Sequence, residues 1–278
     1  MCSLDLQVRV AVRPTALRGS YKPLRVHPDL EVQATLHWIY TPIELMNHTE
    51  QTFTALGGQF VTPVDTLTEK LRAVKAIVFD WDGVFNDGVK TGSGSSSFSE
   101  VDSMGTNLLR FGFWLHHRDQ LPVVAIITGV INELADALVR REHFHACYSQ
   151  AKHKVDVLKH LLDQYGLQPH EVAFFFDDAL DLSVAEVAGV RVMVRRRANP
   201  LLTDYVVRNG LVDYLTGSES GQWAVREGCE MLLGLLGQFD TVMNERLRYK
   251  PVYDRYYAQR QAVEPSYWTV GPDGPVQK

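Results

Sequence analysis

The stretch "IVFDWDGVFNDG", residues 77–88, opens as an apolar run and then delivers Asp80, Asp82 and Asp87. A short apolar run bounded by turn residues reads as a buried strand. Asp80 therefore falls at a strand's end, with Asp82 two positions beyond it. The run begins at Val74 and ends at Phe79, and the pattern recurs at Val123–Ile127, Val172–Phe176 and Val190–Val194. Helical stretches at 132–141, 153–165 and 180–188 lie between these runs. Near-continuous apolar strands alternating with helices predict an α/β fold, a parallel sheet covered on both faces.

In such a sheet, ligands gather beyond the carboxyl ends of the strands. Asp80 and Asp82 follow the first strand, Thr128-Gly129 the second and Asp177-Asp178 the third. Lys154 opens a helix after "HACYSQAKH". These groups suit phosphoryl transfer. A carboxylate approaching a phosphate dianion meets repulsion, which a divalent cation and a lysine relieve, while a hydroxyl positions an oxygen. Asp80 is the candidate nucleophile. Asp82 is the candidate acid and base, which protonates the leaving alkoxide and later activates water. Thr128 and Lys154 would hold the phosphoryl group. Asp80, Asp82 and Asp177 would offer hard oxygen ligands to Mg2+. Asp178 and Asp181 are candidates for supporting or capping roles.

In order, "DWDGVFNDG", "IITG", Lys154 and "FFDDALD" resemble the four motifs of the haloacid dehalogenase (HAD) superfamily phosphatases. The nearer resemblance is to the capless sugar-acid branch, through "DGVFNDG" with "FSEVDSMG", and through "AVREGCEMLL". It covers roughly residues 70–240. It implies a Rossmann-like core with a β-hairpin flap at about 88–101 instead of a large cap. It also implies substrate contacts from Thr128, Gly129, Lys154, Asp102 and Ser103, hydrolysis of an octulosonate- or nonulosonate-type sugar phosphate, and a homotetramer with shared sites. The chain departs from the branch at Val101, Val130, Phe176 and Gln222-Trp223, positions that bear on leaving-group recognition. Two other readings use the same residues: a catalytically silent interaction module, and a phosphotransferase or mutase working through Asp80.

The rest of the chain is organised around this core. Alternating runs at Leu4–Val12 and Leu30–Trp38 read as strands. Thr41, Pro42 and Glu44 signal a helix start, and Gly57-Gly58 its end. Residues 1–60 thus form an expected small α+β extension, 61–244 the core and 245–278 a tail. The tail's Tyr249, Tyr253, Tyr256, Tyr257 and Trp268 suggest a surface that packs on a neighbouring subunit. The arginines at 195–197 follow the fourth strand, where one could pair with a sugar carboxylate. A net charge of −5 gives no reason to expect nucleic acid or an anionic membrane. No long uncharged apolar run suggests a membrane span. Three scattered cysteines fit a reducing compartment, so a cytoplasmic location is expected.

Overall fold

A computed structural model describes residues 42–278 apart from 91, 93 and 250. The strands expected at Leu4–Val12 and Leu30–Trp38 lie outside the described residues. The chain runs through α1 (Pro42–Ala55), β1 (Gln59–Phe60), α2 (Val64–Arg72), β2 (Ala76–Phe79) and α3 (Glu100–His116). It continues with β3 (Val123–Ile127), α4 (Glu133–Glu142), β4 (Ala146–Ser149), α5 (Lys154–Tyr165) and β5 (Val172–Phe176). Then come α6 (Leu182–Ala185), β6 (Val190–Arg195), α7 (Pro200–Arg208), β7 (Tyr214–Glu219) and α8 (Ala224–Leu235). The last elements are α9 (Phe239–Arg248), α10 (Val252–Gln261), β8 (Ser266–Gly271) and β9 (Gly274–Gln277).

The nine strands of the described residues form one sheet in the order β1-β7-β6-β5-β2-β3-β4-β8-β9. The pairs joining β7 through β8 are all parallel, and β1 and β9 add antiparallel edges. This is the Rossmann-like α/β architecture expected. β2 sits centrally between β5 and β3, so Asp80 emerges at the middle of the carboxyl edge. The strand residues alternate between two cores. Ile77, Phe79, Val124, Ile126 and Phe175 pack with α2, α3 and α8 on one face. Ala76, Val78, Ala125, Ile127 and Phe174 pack with α5 and α7 on the other. Burial on both faces explains why these strands read as continuous apolar runs.

The segment after Glu245 is not a tail reaching away from the core. It completes α9, forms α10, and returns as β8, which pairs with β4 and carries β9 outside it. Tyr253 and Tyr256 are buried against Phe111 and Trp114 of their own chain. Trp268 stacks on Tyr148 at a centroid separation of 5.9 Å. Three of the five rings that suggested a subunit contact, Tyr253, Tyr256 and Trp268, are thus engaged within the chain, while Tyr249 and Tyr257 stay exposed. Likewise β1 joins residues 42–60 to the same sheet as the core.

The flap also differs from expectation. Among the described residues, 88–99 contain no strand. A glycine- and serine-rich sequence has little β propensity or cross-strand packing to offer. The flap is instead an irregular loop held by side-chain hydrogen bonds. Asn86 is buried and pins it: its Nδ2 donates to Trp81 O and Ser97 O, and its Oδ1 accepts from Gly88 N.

Candidate active site

Asp80 is buried at the end of β2, where its backbone N–H donates to Phe175 O at 2.9 Å. Its Oδ1 accepts from Lys154 Nζ at 2.6 Å. The same ammonium donates to Asp181 Oδ1 at 2.5 Å. The first turn of α5 supplies the lysine, and a 3-10 turn at Ala179–Asp181 supplies the second aspartate. Asp177, at the end of β5, is equally buried. Asp80, Asp177 and Asp181 each present a carboxylate oxygen within 4.8 Å of the others.

Three buried carboxylates meet one buried ammonium, which bonds Asp80 and Asp181, and the partly exposed Arg196 beside Asp177. Burial, then the charge on Asp181, pushes Asp80 up to about 7 against the opposing pull of Lys154. Burial and Asp80 push Asp177 up to about 9. Burial disfavours the charge on Lys154, but Asp80 and Asp181 outweigh it and hold its pKa above the ordinary value. Both carboxylate oxygens of Asp177 lack a hydrogen-bond donor, and Arg196 approaches Oδ2 at 3.0 Å as an ion pair outside hydrogen-bond geometry. Compact hard oxygens with unfilled lone pairs fit a divalent cation.

Gly83 makes room for this arrangement. Its φ is +91°, and an added Cβ would lie 2.1 Å from Asp177 Oδ2. Glycine is required twice over, for the left-handed backbone and for the close approach.

Asp82 is placed differently from the metal-ligand role expected of its side chain. Its carboxylate is outside the trio and accepts from Lys90 Nζ and Ser96 Oγ. Ser96 is itself held by Trp81 Nε1 at 3.0 Å and Asn132 Nδ2 at 2.9 Å. A part-exposed carboxylate in a polar cradle can exchange protons with a bound group and with water. Thr128 is buried at the end of β3, the strand beside β2, and Gly129 follows it at the more open edge.

Asp102 and Ser103 are engaged within α3's own surroundings. Asp102 accepts from Arg226 N at 2.9 Å and from Ser99 Oγ at 2.7 Å, which ties the start of α8 to the start of α3. Ser103 donates to Glu142 at 3.1 Å and accepts from Arg141. Neither contacts the carboxylate trio through a hydrogen bond. Asp178 is exposed and caps Ala179 N. The 195–197 arginines line a cleft of about 480 Å3 that Arg196 connects to Asp177.

Two residues here gave little warning. Ser96 belongs to a low-complexity "GSGSSS" run, and its serines look interchangeable until the fold brings Trp81, Asn132 and Asp82 around one of them. Asp181 had a signal in its four-residue spacing from Asp177, and its Oδ2 makes a cap by accepting from Asp178 N at 3.2 Å, but its Oδ1 meets Lys154 only through tertiary placement.

Comparisons with known proteins agree with this fold. No protein-family model matches the chain. It is 28% identical over 190 residues to the 3-deoxy-D-manno-octulosonate 8-phosphate phosphatase of Salmonella typhi, covering 66% of this chain and 93% of that one. A solved HAD superfamily (subfamily III A) hydrolase from Legionella pneumophila superposes with a TM-score of 0.55 at 28% identity, covering 66% of this chain and 95% of that one. The Moraxella catarrhalis octulosonate phosphatase, solved with magnesium ion, phosphate ion and KDO, shares the fold with a TM-score of 0.53 at 23% identity. It covers 65% of this chain and 97% of its own.

Proposed function

We propose, from the premise that this chain is a relative of the HAD-type phosphatases in sequence and fold, that it is a magnesium-dependent phosphomonoesterase of small anionic sugar phosphates. The reading rests on one observation above all: Asp80, Asp177 and Asp181 bring carboxylate oxygens together at the carboxyl edge of a parallel sheet, and Lys154 bonds two of them, Asp80 and Asp181. A scaffold has no use for three buried carboxylates so close together, two of which, Asp80 and Asp177, are held above the ordinary carboxylate range by burial and by neighbouring charge.

Asp80 attacks the phosphorus, and the bond to the leaving oxygen breaks. Asp82 gives that oxygen its proton. Asp82 then takes a proton from water, which attacks the aspartyl phosphate and releases inorganic phosphate and Asp80. Lys154 and Thr128 hold the phosphoryl oxygens, with Gly129 giving close approach. Asp80, Asp177 and Asp181 would hold Mg2+, which supplies positive charge against the phosphate dianion. The arginine-lined cleft offers guanidinium groups to a sugar carboxylate, in keeping with an octulosonate or nonulosonate phosphate.

A homotetramer would wall the irregular flap from water, and light scattering measures that assembly. No described helix is long and apolar enough to cross a membrane, and a cytoplasmic setting suits the proposed substrate class. The deciding assay is phosphate release across a panel of sugar phosphates with and without magnesium. Activity that survives Asp80→Asn, or that ignores magnesium, overturns the reading.

A further inference from the structure

A second polar pocket lies away from the carboxylate trio, where α3 and the end of α4 meet α9 and α10. It has a volume of about 190 Å3. Its walls include Asn107, Glu142, Arg246, Tyr253 and Arg260. Two of these side chains are more than nine-tenths buried yet incompletely bonded. Asn107, 8% exposed, has an Oδ1 with no donor, and Arg260, 9% exposed, has an Nε with no acceptor. Asn107 Nδ2 already donates to Glu142 Oε2 at 3.2 Å, which fixes the amide's orientation and aims the acceptor away from the glutamate. Arg260 Nη1 donates to the same Glu142 Oε2 at 3.1 Å.

The local charge is unbalanced. Arg110, Arg141, Arg246 and Arg260 surround the pocket or back it, against Glu100 and Glu142. Arg110 is 1% exposed, donates to the carbonyls of Glu142 and His143, and leaves Nε and Nη2 without acceptors. Arg246 forms no ion pair among the described residues and lies 4.3 Å over the Tyr253 ring. A buried guanidinium without an acceptor costs free energy that water or an anion must recover. The surplus of positive charge distinguishes between the two, since water supplies hydrogen bonds but no counter-charge.

We infer that this pocket is a binding site for a small oxyanion that also carries a hydrogen-bond donor, such as a hydroxy acid. The carboxylate takes the open donors of Arg246; Arg260 Nε and Asn107 Oδ1 have almost no accessible surface, so the ligand's carboxylate and hydroxyl reach them as the neighbouring side chains part, and the Tyr253 ring covers the carbon skeleton. α9 and α10 lie at or beyond the end of the span that carries the motif resemblance, so the resemblance does not supply this site. It stands independently of the phosphatase reading.

Glycolate, which joins a carboxylate to one hydroxyl, is the probe. Calorimetric titration into the full chain in metal-stripped buffer reads the pocket as the binding lost in Arg246→Gln and Arg260→Gln, because glycolate taken by the Arg195–Arg197 cleft persists in both variants and is subtracted. The expected result is saturable binding of one glycolate per chain. Binding weakens about tenfold or more in Arg246→Gln and in Arg260→Gln, roughly 1.4 kcal/mol. Acetate, which offers no donor to Asn107, binds several-fold more weakly than glycolate. Arg246 is only partly buried and has no ion pair among the described residues, so its variant keeps the test valid if Arg260→Gln folds poorly. Three results overturn the inference: no saturable binding, which leaves a water-filled pocket; glycolate binding unchanged in Arg246→Gln; or acetate bound as tightly as glycolate.

Discussion

Lys154 Nζ donates to Asp80 Oδ1 across 2.6 Å, although 74 positions separate the two residues in the chain. Both side chains are nearly inaccessible to solvent. The contact decides how each variant fails. Asp80→Asn removes the proposed nucleophile and one of three mutually repelling carboxylates. Activity is expected to fall by at least about a thousandfold, while metal-free thermal stability holds or rises. Lys154→Met leaves the carboxylates without their cation, so it is expected to lose both activity and roughly 3 kcal/mol of stability. Phosphate-release assays paired with thermal melts read both effects.

Gly83→Ala places a methyl where Asp177 already sits and puts alanine at a φ of +91°. The expected outcome is a loss of more than about 1 kcal/mol in stability. Magnesium affinity falls as well, because Asp177 must move. Calorimetry with magnesium separates this from a simple backbone effect, which would leave affinity intact.

The pH response follows from the raised carboxyl pKa values. Asp80 at about 7 and Asp177 at about 9 both stand above the unfolded-chain value of about 4. Between those limits the folded chain holds protons that the unfolded chain has released. Metal-free stability is therefore greatest below about pH 4 as far as these two groups are concerned, and it falls as the pH rises toward about 9. A divalent cation needs the deprotonated ligands, so its affinity rises over the same range. The melting temperature without metal should drop between about pH 6 and about pH 9, while the gain from saturating magnesium grows. A magnesium gain independent of pH would remove these groups from the metal site.

Ser96 Oγ donates to Asp82 and is itself held by Trp81 and Asn132. Ser96→Ala frees the Asp82 carboxylate from that cradle. A positioned acid contributes about a hundredfold or more, and loosening it should cost roughly tenfold in kcat with little change in KM.

Tyr256 is fully buried against Phe111 and Trp114 and donates to Asn107 O at 3.3 Å. Tyr256→Ala is expected to cost about 3 kcal/mol or more, on the scale of other large aromatic deletions. Chemical denaturation measures it. A loss below about 1 kcal/mol would mean that the C-terminal segment is only loosely docked.

The sequence alone determined the central strands and the residues that end them. Val123–Ile127 and Val172–Phe176 are strands with the bounds their apolar runs predict, because burial on both faces writes itself directly into composition. Asp80, Thr128, Lys154 and Asp177 were legible for the same reason: each stands at a local boundary that a short window can detect. Only the tertiary structure decided which carboxylates meet, since Asp181 joins the trio by bonding Lys154 while Asp82 turns to Ser96. It also decided the fate of residues 245–278. Their alternating aromatic and basic residues suit a subunit interface and an intrachain core equally well. β4 had an unfilled edge and α3 an apolar flank, and both are needs of distant segments that no local pattern in the C-terminal sequence records.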